Sequence, residues 1–290
     1  MLEVLEVELI AGVIAAVASS VAFSTASIFI KLSLRDVRDP FLVNGIRAAF
    51  ASLVYIPILA VMDVKNVSLY VFAVIVASTV IGPGIGDVLF IVSVDKLGAG
   101  LATVLSYQYI LIAQILNIFI LQDYRGFISL YLTPLALFGM YLAVSEGGMK
   151  TNLKGVVFAY AAAFVWGLST ILVSYLVNTC GLPPIQVAGL RVVVLAPILM
   201  SIGVRNIRTM TKRALAILAT SGVVSYFIGF ILFTTSLRVL GVMIPSLATT
   251  LTPMLSQLIS SKVLSEALTP RRVTGSLLII ISLILVVLLA

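Results

Sequence analysis

Gly45-Ile46-Arg47 returns as Gly189-Leu190-Arg191, 144 residues later in a chain of 290. The same offset carries Pro40 onto Pro184, Thr25 onto Ser169 and Arg47 onto Arg191. Further along, a one-residue slip shifts the offset to 143. There Ile85-Gly86 falls on Ile228-Gly229, Leu89-Phe90 on Leu232-Phe233, Ser93 on Ser236, Leu97-Gly98 on Leu240-Gly241 and Gln114 on Gln257. Apolar coincidences are common in a chain like this one. Polar residues, glycines and prolines agreeing on two neighbouring offsets are not. The chain is a duplicated unit, and Glu146 to Lys154, with Gly147-Gly148, is the natural linker between halves 1–148 and 149–290.

Hydrophobic residues make up 61% of the chain and charged residues 10%, with a mean hydropathy of +1.24. Soluble domains carry about 25% charged residues, so the partner of this surface is a lipid bilayer. One cysteine, Cys180, and no histidine leave no internal disulfide and none of the usual soft-metal or haem ligand sets. We expect no metal, no cofactor and no nucleic acid. The net charge of +7 comes from basic residues standing singly or in small groups at the ends of apolar runs. Glu3, Glu6 and Glu8 precede the first run, which reads as a helix and not as a signal peptide.

Ten apolar runs are long enough to cross a membrane, at about 20 residues per span. The first half holds 9–31, 41–62, 69–93, 98–120 and 127–145; the second holds 154–177, 185–203, 213–237, 241–263 and 273–290. Five is an odd number, so the second half enters the membrane upside down. The expected fold is an all-α membrane protein of two inverted five-helix repeats, the plan of many secondary transporters, with substrate bound near the midplane. Between spans, three basic residues fall on the face shared with the termini and thirteen on the other. By the positive-inside rule both termini lie outside the cytoplasm.

The pattern resembles the drug/metabolite transporter superfamily, and within it the ten-helix EamA-type branch. The Gly-x-Arg openings of spans two and seven carry the resemblance, as do Leu97-Gly98 and Leu240-Gly241 before spans four and nine. So does the stretch from Pro253 through Leu264-Ser265-Glu266 to Gly275. The first half departs from it, with Ile110 for the proline and Asp123 for the glutamate. The resemblance covers essentially the whole chain. It implies alternating access around a site lined by spans one, three, four, six, eight and nine, and most often export of amino acids or related metabolites.

Several residues are candidates for that site. Thr103, Tyr107, Gln114 and Asn117 share one face of span four, and Ser246, Thr250, Gln257 and Ser260 stand at the matching positions of span nine. Such stripes either line a cavity or join helices through hydrogen bonds. Ser20, Ser24 and Ser27 share a face of span one. Span six carries Trp166, the only tryptophan, with Ser169 and Thr170. Trp166 lies too deep for an interfacial belt, which leaves a stacking wall for substrate or packing against a neighbour. Ala18, Ala22 and Ala26, like Ala159, Ala163 and Gly167, allow close helix approach.

Asp87 is the one acidic residue well inside a span, where an ionised carboxylate costs about 2.5–3.5 kcal/mol. It is protonated, paired or wet. It suits proton coupling or a cationic group on the substrate, or else it is a neutral carboxyl bonded between helices. Gly84-Ile85-Gly86-Asp87 also matches the Gly-x-Gly-Asp pattern of intramembrane aspartyl proteases. That chemistry needs a second carboxyl, and Asp36, Asp39, Asp63, Asp95 and Asp123 all sit at span ends. Pro83 between glycines, and Pro245 and Pro253 in span nine, predict kinks or hinges. Arg47 and Arg191 stand about 9 Å into their spans, at opposite membrane faces. They read as snorkelling or ion-paired residues, or as gates that attract an anion. Glu266 and Asp123 read as helix caps or gate partners.

The residues together point to a secondary transporter of a small neutral, zwitterionic or amphipathic solute, and they leave two modes open, proton coupling through Asp87 and passive facilitation. No nucleotide-binding motif is present, and nothing in the chain sets its oligomeric state.

Overall fold

The computed structural model describes residues 2–34, 36–62, 67–97, 99–144, 152–255, 259 and 270–289. Among them ten helical segments follow one another: α1 (Leu2–Ser33), α2 (Pro40–Ala60), α3 (Leu69–Leu97), α4 (Ala99–Ser106, then Tyr109–Leu116 and Asn117–Leu121), α5 (Ile128–Val144), α6 (Leu153–Thr179), α7 (Pro184–Gly203), α8 (Lys212–Leu240), α9 (Met243–Ala248) and α10 (Pro270–Leu289). Seven of these contain apolar helices long enough to cross a membrane, and α5 and α10 hold the shorter apolar helices Ile128–Leu142 and Val273–Leu289. The expected ninth span runs into residues outside the described ones, where Gln257 and Glu266 also lie.

The helices begin where side chains can satisfy the free N–H groups of a first turn. Asp39 accepts from Phe41 N (2.9 Å) and Leu42 N (3.2 Å) ahead of Pro40. Ser68, Asn152 and Thr211 cap α3, α6 and α8 in the same way. On the outside of α1, Val7, Ile10, Ile14, Val17 and Val21 are exposed at three- and four-residue intervals, the stripe of a helix that faces lipid.

Packing between α2 and α7 reveals the internal symmetry. A methyl group at Gly45 would stand 3.0 Å from Met200 Sδ and 3.3 Å from Leu199. Ten residues further on in α2, Tyr55 occupies the space beside Gly189, where a methyl group would come within 2.8 Å of its ring. Between them Ser52 Oγ donates to Val192 O over 3.1 Å. The helices are therefore antiparallel, and a shift of 144 residues maps the Gly45–Leu199 contact onto the Tyr55–Gly189 contact. Only a two-fold axis across both helices, in the membrane plane, does this. The second repeat is inverted relative to the first. α5 and α10 pair likewise, a methyl group at Gly139 falling 2.7 Å from Gly275 O. The remaining helices exchange partners between halves: α1 packs on α8, and α6 on α3 and α4. Ala159, Ala163 and Gly167 are buried on the face of α6 that meets α4.

Four departures from regular α-helix recur at matching points. α3 widens into π-type turns over Val80–Gly86, and α8 does so over Gly222–Gly229. The first stretch contains Gly82-Pro83-Gly84 and the second has no proline, so the widening belongs to the fold and Pro83 is compatible with it without being required. α4 is interrupted at Tyr107-Gln108, and α9 turns at Thr249-Thr250.

Candidate functional site

A cavity of about 170 Å³ lies among helices of both halves. The first half lines it from α1 to α4 and the second from α6 to α8, with Thr252 and Pro253 beyond α9. At its wall Asp87, the first residue after the wide turn of α3, gathers partners from three other helices. Trp166 Nε1 of α6 donates to its Oδ1 over 2.9 Å. Tyr226 Oη of α8 lies 2.5 Å from its Oδ2, and Arg47 Nη1 of α2 stands 3.8 Å from the same oxygen. Asp87 is thus paired and hydrogen-bonded, as a carboxyl at this depth must be.

Glycine makes the Trp166–Asp87 bond possible. A methyl group at Gly86 would fall 2.5 Å from the indole ring, so a side chain there would push Trp166 away. The indole is then boxed by Phe90, Tyr109 and Tyr107, with ring centroids 5.2, 5.9 and 6.3 Å away. Trp166 is both a wall of the cavity and a hydrogen-bond donor. The symmetry-related place in the other half is apolar: Gly229 lies against Ala22 and Phe23, and Phe23 packs edge-on to Phe230 at 6.0 Å. The cradle occurs twice, polar in one copy and apolar in the other.

Arg47 is buried, 3% exposed, and fully engaged. Its Nε donates to Ser221 Oγ (3.2 Å), Nη1 to Asn44 Oδ1 (2.8 Å) and Nη2 to Ser225 Oγ (3.0 Å), while the guanidinium covers the Tyr226 ring at 4.4 Å. Arg191, 6% exposed, lines the same cavity. Snorkelling and opposite membrane faces, expected from depth in the span, are both corrected. The α2–α7 crossing is centred near residue 50 of α2 and its equivalent in α7, so each arginine lies about 4.5 Å from the centre, one on either side.

The structure separates the candidate residues. Thr103, Tyr107, Trp166, Ser169, Pro83, Pro253, Asp87, Arg47 and Arg191 all border the cavity. Gln114 does not. Its Nε2 donates to Ser129 Oγ (3.3 Å) and Met243 O (3.1 Å), and Thr133 Oγ1 donates to its Oε1 (2.8 Å), which ties α4 to α5 and α9. The break at Tyr107-Gln108 is the reason: the stripe from Thr103 to Asn117 assumed an uninterrupted helix, and the break turns its two ends in different directions. Asn117 Nδ2 accordingly donates to Asp123 O. Thr250 Oγ1 donates to Leu247 O (2.8 Å) and Ser24 Oγ to Val21 O (2.6 Å); both are buried away from the cavity. Gln257 lies outside the described residues. Asp123 forms an ion pair with Arg125 at 2.8 Å in the loop before α5.

Sequence reasoning missed Asn44, Ser225 and Tyr226. Asn44 stands one helical turn before Arg47 on the same buried face, a spacing open to inspection. Tyr226 gave no such signal, because the widened turn of α8 decides which of its residues face inward. Spans two and seven also enter the site through their arginines, which the resemblance did not imply.

A buried midplane cavity between two inverted helical repeats is the architecture of a secondary transporter. The comparisons agree. The model of the EamA-like transporter family matches residues 10–145 and again 153–288, and the chain belongs to that family. An uncharacterized transporter of Archaeoglobus fulgidus is 23% identical over 272 residues, covering 93% of this chain and 95% of the relative. A solved crystal structure superposes with a TM-score of 0.79 at 16% identity, over 96% of this chain and 97% of the other, a likeness of fold.

Proposed function

We propose that this membrane transporter carries a small organic solute through the central cavity by alternating access, with Asp87 exchanging a proton during the cycle. One observation carries the proton reading. Tyr226 Oη lies 2.5 Å from Asn44 Oδ1 as well as from Asp87 Oδ2, and a hydroxyl has one proton to give. Asn44 cannot turn round to help, because its Nδ2 donates to Pro83 O (2.7 Å) and its Oδ1 accepts from Arg47. With Asp87 neutral, the carboxyl donates to Tyr226 and Tyr226 donates to Asn44. With Asp87 ionised, Tyr226 donates to the carboxylate instead, and Arg47 is nearby for the charge. Either state keeps Tyr226 bonded, so the carboxyl can exchange its proton with water in the cavity while one hydroxyl turns to match.

The same cluster joins α2, α3, α6 and α8, from both halves. Rocking of the halves alters its distances, which links proton occupancy to conformation. Among the described residues that line the cavity Asp87 is the only acidic one, which supports transport over the paired-carboxyl chemistry of an aspartyl protease. Loop charge supports an orientation with both termini outside the cytoplasm in a cell membrane, and the family resemblance supports export.

Alternating access is testable before a solute is known. In protein lacking Cys180, a cysteine at Thr103 or Ser169 should react with an impermeant thiol reagent from either side of the bilayer. Labelling from one side only, under all conditions, would indicate a static pocket and sink the carrier reading.

A further inference from the structure

We infer that the solute bears a carboxylate and that Arg191 binds it; this deepens the carrier reading and rests on it. The pseudo-two-fold axis makes Arg47 and Arg191 equivalent positions, so their surroundings can be compared partner by partner. Arg47 is held by Asn44, Ser225, Tyr226 and Asp87. The equivalent positions around Arg191 are Ala188, Gly82, Pro83 and Phe230. Four of the five polar partners are thus replaced by residues with no side-chain acceptor; the fifth, Ser221, is matched by Ser78, whose Oγ donates to Ile75 O and whose backbone carbonyl accepts from Arg191. Where Arg47 meets a carboxylate, Arg191 meets the face of Phe230, its guanidinium 5.3 Å from the ring centre.

What remains for Arg191 is slight. Nη2 donates to Ser169 Oγ (3.0 Å) and to Ser78 O (3.2 Å). Nε is buried without a hydrogen-bond partner, and no carboxylate lies within 4 Å among the described residues. A guanidinium at this depth with no carboxylate in contact is costly, and the loss of its partners makes sense if a ligand supplies them. Arg191 also lines the cavity, so an entering group can reach it. Gly82 keeps the approach open, since a methyl group there would come 3.1 Å from Arg191 Nη2 and 2.2 Å from Ser169 Oγ. The planar fork of a guanidinium matches a carboxylate in particular. The aromatic wall of Phe230, Trp166 and Tyr107 receives the apolar remainder of the solute. Among the described residues lining the cavity, the one carboxyl, Asp87, stands within 4 Å of Arg47 and not of Arg191, which leaves the Arg191 fork open to a ligand.

Trp166 is the only tryptophan and stands in the cavity wall, so its fluorescence reports occupancy. Purified protein is titrated with acetate, propionate, glycine and leucine, and with the corresponding amides, at constant ionic strength. The carboxylates should give saturable changes and the amides should bind more weakly by about tenfold or more. Arg191→Gln should remove that preference, and Arg191→Lys should restore part of it. Saturation by amides as well as by acids would overturn the carboxylate assignment while leaving the cavity as a binding site. An Arg191→Gln protein that keeps the preference for acids would overturn the role of Arg191. No saturable change with any probe would overturn the inference, and the two-sided labelling at Thr103 then decides independently whether the carrier reading survives.

Discussion

Trp166 in the second repeat and Asp87 in the first are joined by a 2.9 Å hydrogen bond, while their equivalents, Ala22 and Phe230, have no polar group to share. The bond makes the two halves unequal, and it does so at the wall of the cavity. A symmetric scaffold gives a transporter two interchangeable conformations in outline. An asymmetric site gives each conformation its own chemistry.

Removing the space that this bond requires should disable the protein. In Gly86→Ala the added methyl group meets the Trp166 ring, and overpacking of this kind costs about 1–3 kcal/mol. The expected result is a blue- or red-shifted Trp166 emission, a lower melting temperature and loss of transport. Unchanged emission would mean that the indole is not seated against α3.

Tyr226→Phe deletes the hydroxyl that turns between Asn44 and Asp87 while keeping the ring beneath Arg47. No hydroxyl then turns to match the two protonation states of Asp87, so transport should lose its dependence on a pH gradient with the fold intact. Retained gradient-driven transport would show that Asp87 exchanges its proton without Tyr226.

Gln114 should behave as a structural residue. Gln114→Ala leaves Ser129, Thr133 and Met243 O with fewer partners in a buried place, at about 1–3 kcal/mol for each group left unsatisfied. Thermal stability in detergent should fall, and the ligand response of Trp166 should keep its wild-type midpoint. A shifted midpoint with normal stability would return Gln114 to the cavity.

Much of this was legible in the chain itself. The 144- and 143-residue offsets identify the halves, and an odd number of spans inverts one of them. Asp87 stands out because an acidic residue deep in a span needs a reason. Trp166 stands out for its depth. Most of the differences have one physical source, which is that face arguments presuppose regular helices. The breaks at Tyr107-Gln108 and Thr249-Thr250 moved Gln114 and Thr250 away from the cavity, and the wide turn in α8 brought Tyr226 in. Arginine depth was also misjudged, because a count from the helix start gives distance along one helix and ignores the crossing with α7. Inequality between Arg47 and Arg191 was present in the repeat all along, in Asn44 against Ala188 and Asp87 against Phe230.

In the proposed cycle Asp87 carries the proton that drives the solute. The most direct measurement is accumulation in proteoliposomes under an imposed pH gradient, for a solute selected by the Trp166 titration, with wild type and Asp87→Asn compared. Asparagine keeps the size and can still bond to Trp166 or Tyr226, but it cannot gain or lose a proton at neutral pH. Asp87→Asn should no longer accumulate solute against its gradient, yet should still exchange internal for external solute. Wild-type accumulation by Asp87→Asn, with the same response to the pH gradient, would contradict this cycle and leave a structural carboxyl in a passive facilitator or a differently driven carrier.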